Sequence, residues 1–165
     1  MAYQKLQVSD GLEIVQSDTI PIPNPSSEVI SGTTVGTAVA NKLVDTGATF
    51  ENDGIIVPKA IVYNTTDMTA AYVTAIDSDT TLSLSADIFT AGEDYVIYNE
   101  ATTGCILYVG GAGNVSAVLS TDKDVPPASQ KQLTFKNLPN ASFLPTQVVR
   151  VDATDTTATD IIALW

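Results

Sequence analysis

The sequence has no histidine and only one cysteine, Cys105, among its 165 residues. Histidine is the commonest general base near neutral pH and the commonest metal ligand, so its absence argues against most acid–base catalysis and most metal sites. A lone cysteine cannot form an intramolecular disulfide or a thiolate cage for zinc. We expect Cys105 to be a small buried residue of a strand, and the alternative is a disulfide between copies of the chain.

Basic residues are scarce as well. Seven Lys and Arg face nineteen Asp and Glu, which gives a formal net charge of -12 and a sequence pI near 4.1. Nucleic-acid affinity comes chiefly from basic side chains that displace counterions from phosphates. We therefore expect neither nucleic acid nor an anionic membrane to be a direct partner.

Long apolar runs are missing too. No segment has the about 18 or more apolar residues of a membrane span, and no such run follows Met1–Lys5 as a signal peptide would require. We expect the chain to be made in a cytoplasm and not to be exported by the general route. Charged residues are only 16% and hydrophobic residues 44%, a composition that predicts a folded chain rather than a disordered one.

The residues that are present favour strands. Val, Ile, Tyr and Thr fit a pleated surface, and eight Pro and ten Gly supply frequent turns. Leu82 and Leu84 alternate with polar residues, which is the period of a half-buried strand. We expect no helix. Further strands are predicted at 55–57, 60–63, 71–76, 95–98, 106–109, 115–119, 133–135, 148–151 and 161–165.

The connections differ in character along the chain. Alternate prolines from Pro21 to Pro25 predict an extended segment that cannot be a central strand. Small residues at 31–40 predict a linker. Asp77–Asp79 is expected to be a turn, Gly110–Asn114 the turn of a hairpin, and 120–131 an exposed loop.

Two acidic groups are candidates for calcium, because hard cations take several carboxylate oxygens. Neither has the glycine and terminal glutamate of an EF-hand loop, so solvated turns are the preferred interpretation and we predict no metal site within the chain. Calcium held between copies remains an alternative. The two groups are Asp77, Asp79 and Asp87, and Asp152, Asp155 and Asp160.

No catalytic or cofactor-binding residue is predicted. Gly110–Gly113 lacks the spacing of a dinucleotide loop, and no Lys-Ser or Lys-Thr follows it. The many Ser and Thr hydroxyls have no well-placed base to activate them. We therefore expect that the chain is not an enzyme.

Two residues near the C-terminal end have alternative positions. Arg150, the only arginine, lies in the apolar run Val148–Val151 and needs a carboxylate, either within the fold or across a subunit boundary. Trp165 is expected to be buried in the core or against a neighbouring copy. The predicted candidates for a subunit interface are Phe143, Leu144, Arg150 and Trp165.

Five motifs from residue 106 onward and the early pair Ser17-Asp18 carry a resemblance to a known family. In chain order the motifs are Leu107-Tyr108-Val109-Gly110-Gly111-Ala112-Gly113, Leu133-Thr134-Phe135-Lys136-Asn137, Phe143-Leu144-Pro145, Val149-Arg150-Val151 and Thr156-Thr157-Ala158-Thr159-Asp160-Ile161-Ile162-Ala163-Leu164. In this order they resemble the head-spike base proteins of gene transfer agents and the related decoration proteins of marine tailed phages. The resemblance covers 1–30 and 102–165.

The resemblance implies an all-β protein. Residues 1–32 and 101–165 are expected to form a discontinuous antiparallel β-sandwich, jelly-roll-like in arrangement. The roughly seventy residues between the two pieces exceed the short family form. They look like a small β-barrel of other phage virion proteins, so we expect an inserted barrel at 33–100.

The family implies a virion structural protein on the outer surface of the capsid. Its expected partners are the major capsid protein, further copies of itself and a head fibre, with a pentamer at the fivefold vertex as first choice and a trimer as second. An acidic surface suits the outside of a shell filled with DNA. The alternative is a receptor-binding or carbohydrate-binding module of a phage tail fibre.

Overall fold

A computed structural model of the chain describes residues 8–51 and 58–165. Within these residues the regular structure is β-strand, apart from short 3₁₀ turns, and every pair of strands is antiparallel. The prediction of an all-β protein is confirmed. The strands are β1 (Gly11–Glu13), β2 (Glu28–Thr33), β3 (Lys42–Val44), β4 (Ile61–Asn64), β5 (Thr69–Ser78), β6 (Thr81–Leu84), β7 (Asp94–Tyr98), β8 (Cys105–Gly111), β9 (Gly113–Leu119), β10 (Gln132–Leu138), β11 (Ser142–Val151) and β12 (Thr159–Leu164).

The strands form two six-stranded sheets. One has the order β1-β12-β8-β11-β9-β10, and the other has the order β2-β7-β4-β5-β6-β3. The chain correspondingly divides into two compact units. We call residues 8–14 with 103–165 the discontinuous unit, and residues 15–102 the inserted unit.

The boundary between the units differs from the expected one. Residues 15–32 were expected in the sandwich, but they belong to the inserted unit. The reason is backbone pairing, because β2 lies beside β7 from Glu28 to Thr33, and Pro23 bridges Ala101. The expected linker at 31–40 therefore begins as strand rather than as a free connection.

The sheet of the inserted unit curls into a half-barrel. Just beyond the ends of its two edge strands, Val35 and Asp45 form a parallel bridge. The Val35 N–H donates to Val44 O at 3.1 Å, and the Thr46 N–H donates to Val35 O at 3.0 Å. The curl encloses a core of buried apolar side chains. Its members include Leu43, Phe50, Val62, Val73, Leu82, Tyr95 and Ile97.

Local expectations for the inserted unit are met in part. Leu82 and Leu84 are buried and alternate with more exposed neighbours, as their period of two predicted. The turn expected at Asp77–Asp79 begins later, at Asp79, because β5 continues to Ser78 before the chain reverses into β6. The predicted strand at 55–57 lies outside the described residues.

The expected hairpin around Gly110–Asn114 is also wrong. Strands β8 and β9 follow each other in sequence, but β11 lies between them in the sheet. The glycines allow another part of the chain to approach closely. A Cβ atom on Gly113 would lie 2.5 Å from the backbone nitrogen of Ala158 and 2.7 Å from the carbonyl carbon of Thr157. The backbones meet where a side chain would not fit.

The threonine-rich stretch that follows β11 completes this part of the sheet. The Thr157 and Ala158 N–H groups donate to Asn114 O at 2.9 and 3.1 Å. The Thr157 hydroxyl accepts the Asn114 N–H at 2.9 Å, and the Thr156 hydroxyl accepts the Ser116 N–H at 3.0 Å. Side-chain oxygens therefore satisfy backbone donors of β9 that a ladder would otherwise pair.

Among residues 8–51 and 58–165, no helix has the length and apolar character needed to cross a membrane.

Candidate functional site

An exposed apolar surface lies on one face of the discontinuous unit. Phe143 on β11 is directly opposite Tyr108 on β8, and Tyr108 is opposite Ile162 on β12. Residues opposite each other on antiparallel strands share a face of the sheet. The Phe143 and Tyr108 rings meet edge to face with centroids 5.4 Å apart, and Phe143 is 58% exposed. We call these three residues the Phe143 surface.

Alternation along the strands places the neighbouring residues on the opposite, buried face. Leu144 lies opposite Leu107, and both are buried. Leu144 was predicted to be at a subunit interface. Its burial within the discontinuous unit contradicts that prediction, because the side chain points away from the Phe143 surface. Of the two adjacent candidates, Phe143 is the one whose side chain is exposed.

Arg150 is buried inside the discontinuous unit, with 2% of its surface exposed. Its Nε donates to Asp152 Oδ1 at 2.8 Å and its Nη1 donates to Gln130 Oε1 at 2.5 Å. Asp152 is fully buried and also accepts the Ser116 hydroxyl at 3.3 Å. The intramolecular alternative is therefore the one observed, and the prediction that Arg150 lies at a subunit interface is wrong.

Trp165 is half-buried at the end of β12. Its backbone continues the ladder between β12 and the segment of β1: the Trp165 N–H donates to Asp10 O at 3.1 Å, and the Ser9 N–H donates to Trp165 O at 2.6 Å. The residue therefore extends the β1–β12 ladder, and its backbone is anchored within the unit.

The two acidic groups do not converge. Asp77 forms an ion pair with Lys42 at 2.6 Å, and hydrogen bonds from Lys42 and Ser83 lower its pKa. Asp87 instead accepts the Asn41 N–H at 3.0 Å, and Asp79 accepts the Glu51 N–H at 3.2 Å. No cluster of three or more potential metal-ligating side chains occurs within residues 8–51 and 58–165.

Cys105 is buried in β8, with 1% of its surface exposed. Its thiol donates to Val148 O at 3.3 Å, and burial raises its pKa to about 12. A thiol that is buried and protonated is a poor nucleophile for disulfide exchange. The side chain therefore has the buried strand position that its sequence context predicted.

A polar network in the inserted unit was not predicted from the sequence. Glu93 is 8% exposed, and its carboxylate accepts the Thr90 N–H and hydroxyl, each at 2.7 Å, and an N–H of Asn64 Nδ2 at 2.9 Å. Asn64 Oδ1 in turn accepts the N–H groups of Thr66 and Asp67. The link between Asn64 and Glu93 depends on the long-range pairing of β4 with β7, which no local sequence signal indicates.

The network holds two carboxyl groups near each other. Charge repulsion from Glu93 raises the pKa of Asp67, whereas the hydrogen bond from the Thr90 backbone lowers the pKa of Glu93. The fold therefore stabilises the ionised form of Glu93 and destabilises the ionised form of Asp67.

The tyrosines of the inserted unit bear on the carbohydrate-binding alternative. Tyr63, Tyr95 and Tyr98 are each buried to at least 96%. The Tyr95 hydroxyl donates to Asp45 Oδ2 at 2.8 Å, and its burial raises its pKa. Aromatic faces that bind sugars have to be exposed, so these three rings belong to the core and not to such a site.

Comparison with known proteins gives no relative from which a function can be transferred. No family model, curated protein or solved structure matches the chain.

Proposed function

We propose that this chain is a structural protein of a tailed-phage virion. It decorates or cements the exterior of the capsid as a homo-oligomeric spike base at the capsid vertices, in contact with the major capsid protein. The proposal rests on the resemblance of its ordered motifs to head-spike base and decoration proteins.

The division of the chain into two units is the observation that best supports the proposal. The motifs of the resemblance after residue 106 all fall in the discontinuous unit, and most of the residues in excess of the short family form fall in the inserted unit. An insertion into a family fold has to leave the two flanking segments of the parent unit able to pair with each other. Here β1, which precedes the inserted unit, pairs with β12, which follows it.

The Phe143 surface supports a role in contact. Phe143 is a large ring that is 58% exposed on a sheet face. Burial of this ring against a partner would lower the free energy of the complex. The ring is held in place by its edge-to-face contact with Tyr108. A side chain that is already ordered loses less entropy when it binds.

The charge supports an exterior position. A net charge of -12 repels the phosphates of packaged DNA at short range. The outer face of a capsid does not impose this cost. The same charge limits self-association, so copies have to meet through apolar area or through locally complementary charges.

The proposal is tested on virions of the phage whose genome encodes the chain. Purified heads and tails, separated by gradient centrifugation, are compared by quantitative mass spectrometry, and intact virions are labelled with an antibody to the chain and immunogold. We expect the chain in the head fraction with gold on the capsid outside. Its presence only in tails, together with specific signals on a glycan array, would favour the tail-fibre alternative and contradict the proposal.

A further inference from the structure

We propose that copies of this chain join edge to edge, with strand β1 of one copy beside strand β10 of the next. The contact pairs an acidic sheet edge with a basic one and is therefore heterologous. This inference rests on the proposed function, because it names the surface through which the proposed oligomer forms.

Both strands lie at the edges of the sheet in the discontinuous unit. Strand β10 is seven residues long, and its exposed side chains alternate with half-buried ones over Gln132–Lys136. Strand β1 is short, but its ladder with β12 continues from Ser9 to Ile14 through backbone hydrogen bonds. Among residues 8–51 and 58–165, the outer backbone groups of these two edges have no ladder partner, so they can pair with another strand.

The β1 edge is acidic. Asp10 and Glu13 lie at this edge and are exposed, and Asp160 is exposed on the adjacent strand β12. None of the three carboxylates has a basic partner among the described residues. Asp10 accepts the N–H of Gly11 at 2.8 Å, and Asp160 accepts the Thr159 hydroxyl at 2.8 Å.

The β10 edge is basic. Lys136 lies in the strand and Lys131 directly precedes it, and both are exposed. Within the described part of the chain, neither ammonium group forms an ion pair. Two acidic residues lie nearby, but Asp124 is already paired with Lys123, and Asp122 accepts the backbone N–H of Lys131 at 2.8 Å.

Charged residues on an edge strand usually prevent edge-to-edge pairing. Here they prevent only some pairings. Two β10 edges would bring lysines together, and two β1 edges would bring carboxylates together. A β1 edge beside a β10 edge instead places opposite charges across the new ladder, where directly opposed side chains interact. The pattern therefore selects one pairing and disfavours the two symmetric ones.

The edge strands of the other sheet are less available for pairing with another copy. Strands β2 and β3 are its edge strands, and the residues that follow them already bond to each other through the Val35–Asp45 bridge. A heterologous contact also fits the proposed assembly, because repetition of the same contact generates a closed ring when the rotation between copies closes. The net charge of -12 on each copy opposes assembly, but salt screens it beyond about 8 Å while contacts at the edge are closer.

The test uses charge reversal on the full chain, read by native mass spectrometry and light scattering over a range of concentrations. Glu13→Lys and Lys136→Glu should each weaken self-association on the order of tenfold, since each places like charges across the contact. The double variant, Glu13→Lys with Lys136→Glu, should restore assembly. Glu100→Lys and Lys59→Glu are matched controls, because they make the same charge changes at exposed positions of the inserted unit.

The outcomes separate this inference from the proposed function. Single variants that assemble like the unchanged chain, a double variant that fails to recover, or an unchanged chain that is monomeric at every concentration would each overturn the edge contact. Far-ultraviolet circular dichroism of each variant shows that the strands are retained. Gold labelling of the virion does not depend on these substitutions. The edge contact can therefore be wrong while the proposed position on the virion is still supported by the labelling.

Discussion

At the scale of single residues, the most consequential interaction is the ion pair between Arg150 and Asp152. Both side chains are almost completely buried, and the Nη2 atom of Arg150 is a buried donor with no hydrogen-bond partner in the described part of the chain. A buried charge pair with an unsatisfied donor contributes little net stability, yet loss of either partner leaves an uncompensated charge.

Removal of one partner should therefore destabilise the chain strongly. We expect Asp152→Asn or Arg150→Met alone to lower the free energy of unfolding by about 3–5 kcal/mol. Each change leaves a buried charged or polar group without its partner. The combined change Arg150→Met with Asp152→Leu should cost much less than the sum of the single changes. Urea unfolding followed by tryptophan fluorescence measures all of them.

The matched control is Lys123→Met, which removes the exposed ion pair with Asp124. Exposed pairs contribute roughly 0–1 kcal/mol, so this variant should unfold close to the unchanged chain. Equal effects from Lys123→Met and Arg150→Met would mean that burial does not govern the energetics of the Arg150 pair.

The two carboxyl groups of the inserted unit should give opposite pH signatures. The pKa of Glu93 is lowered from its ordinary value of 4.5, so its contribution is present above that pH and is lost as the pH falls. The pKa of Asp67 is raised from 3.8, so its ionisation at pH 7 destabilises the fold. Asp67→Asn should raise Tm at pH 7 by a few degrees, and the gain should vanish towards pH 3.5.

Glu93→Gln should lower Tm at pH 7, because it removes the carboxylate that accepts hydrogen bonds from Thr90. Glu100→Gln is the control, since it removes one negative charge at an exposed position of the same unit. Differential scanning calorimetry across this pH range gives all three values. A Tm gain for Asp67→Asn that persists unchanged at pH 3.5 would contradict the assigned repulsion.

At the scale of elements, the crossing of the β8–β9 connection by the segment around Ala158 requires glycine. We expect Gly113→Ala to destabilise the chain by about 1–3 kcal/mol, because the added methyl group meets backbone atoms that cannot move independently. Gly11→Ala is the control in the same unit. Its Cβ would meet the end of the flexible Leu164 side chain at 3.2 Å, so a small effect is expected.

Chemical denaturation of both glycine variants tests this account. A Gly113→Ala variant as stable as Gly11→Ala would show that the crossing tolerates a side chain.

The same region shows how far strands can be predicted from sequence. Strands with a clear local signal, such as the alternation at Leu82 and Leu84 or the apolar run Val148–Val151, occur where they were expected. The hairpin at Gly110–Asn114 was wrong because a glycine-rich turn and a glycine-rich close approach have the same local sequence. Only the long-range insertion of β11 between β8 and β9 distinguishes them.

The predicted boundary between the units differs from the observed one for a related reason. The small residues at 31–40 have weak local preferences, and the position of β2 is decided by its pairing with β7, more than sixty residues away. For the candidate interface, apolar character alone did not separate Phe143 from Leu144. Strand alternation places one outside and one inside, and the sheet register was needed to decide which.

At the scale of the whole molecule, the chain is one antiparallel unit interrupted by a second. The first and last described strands pair with each other, as β1 with β12, so the discontinuous unit is built from two segments that are far apart in sequence. This arrangement, its exposed Phe143 surface and its oppositely charged edges are the features that the proposed virion role uses.

The proposed position on the capsid exterior can be examined by cryo-electron microscopy of the virion, with focused reconstruction of the vertices. We expect density for repeated copies of the discontinuous unit outside the shell, arranged with fivefold symmetry around each vertex. Capsids that lack this density, in virions whose tails or interior contain the chain, would contradict it.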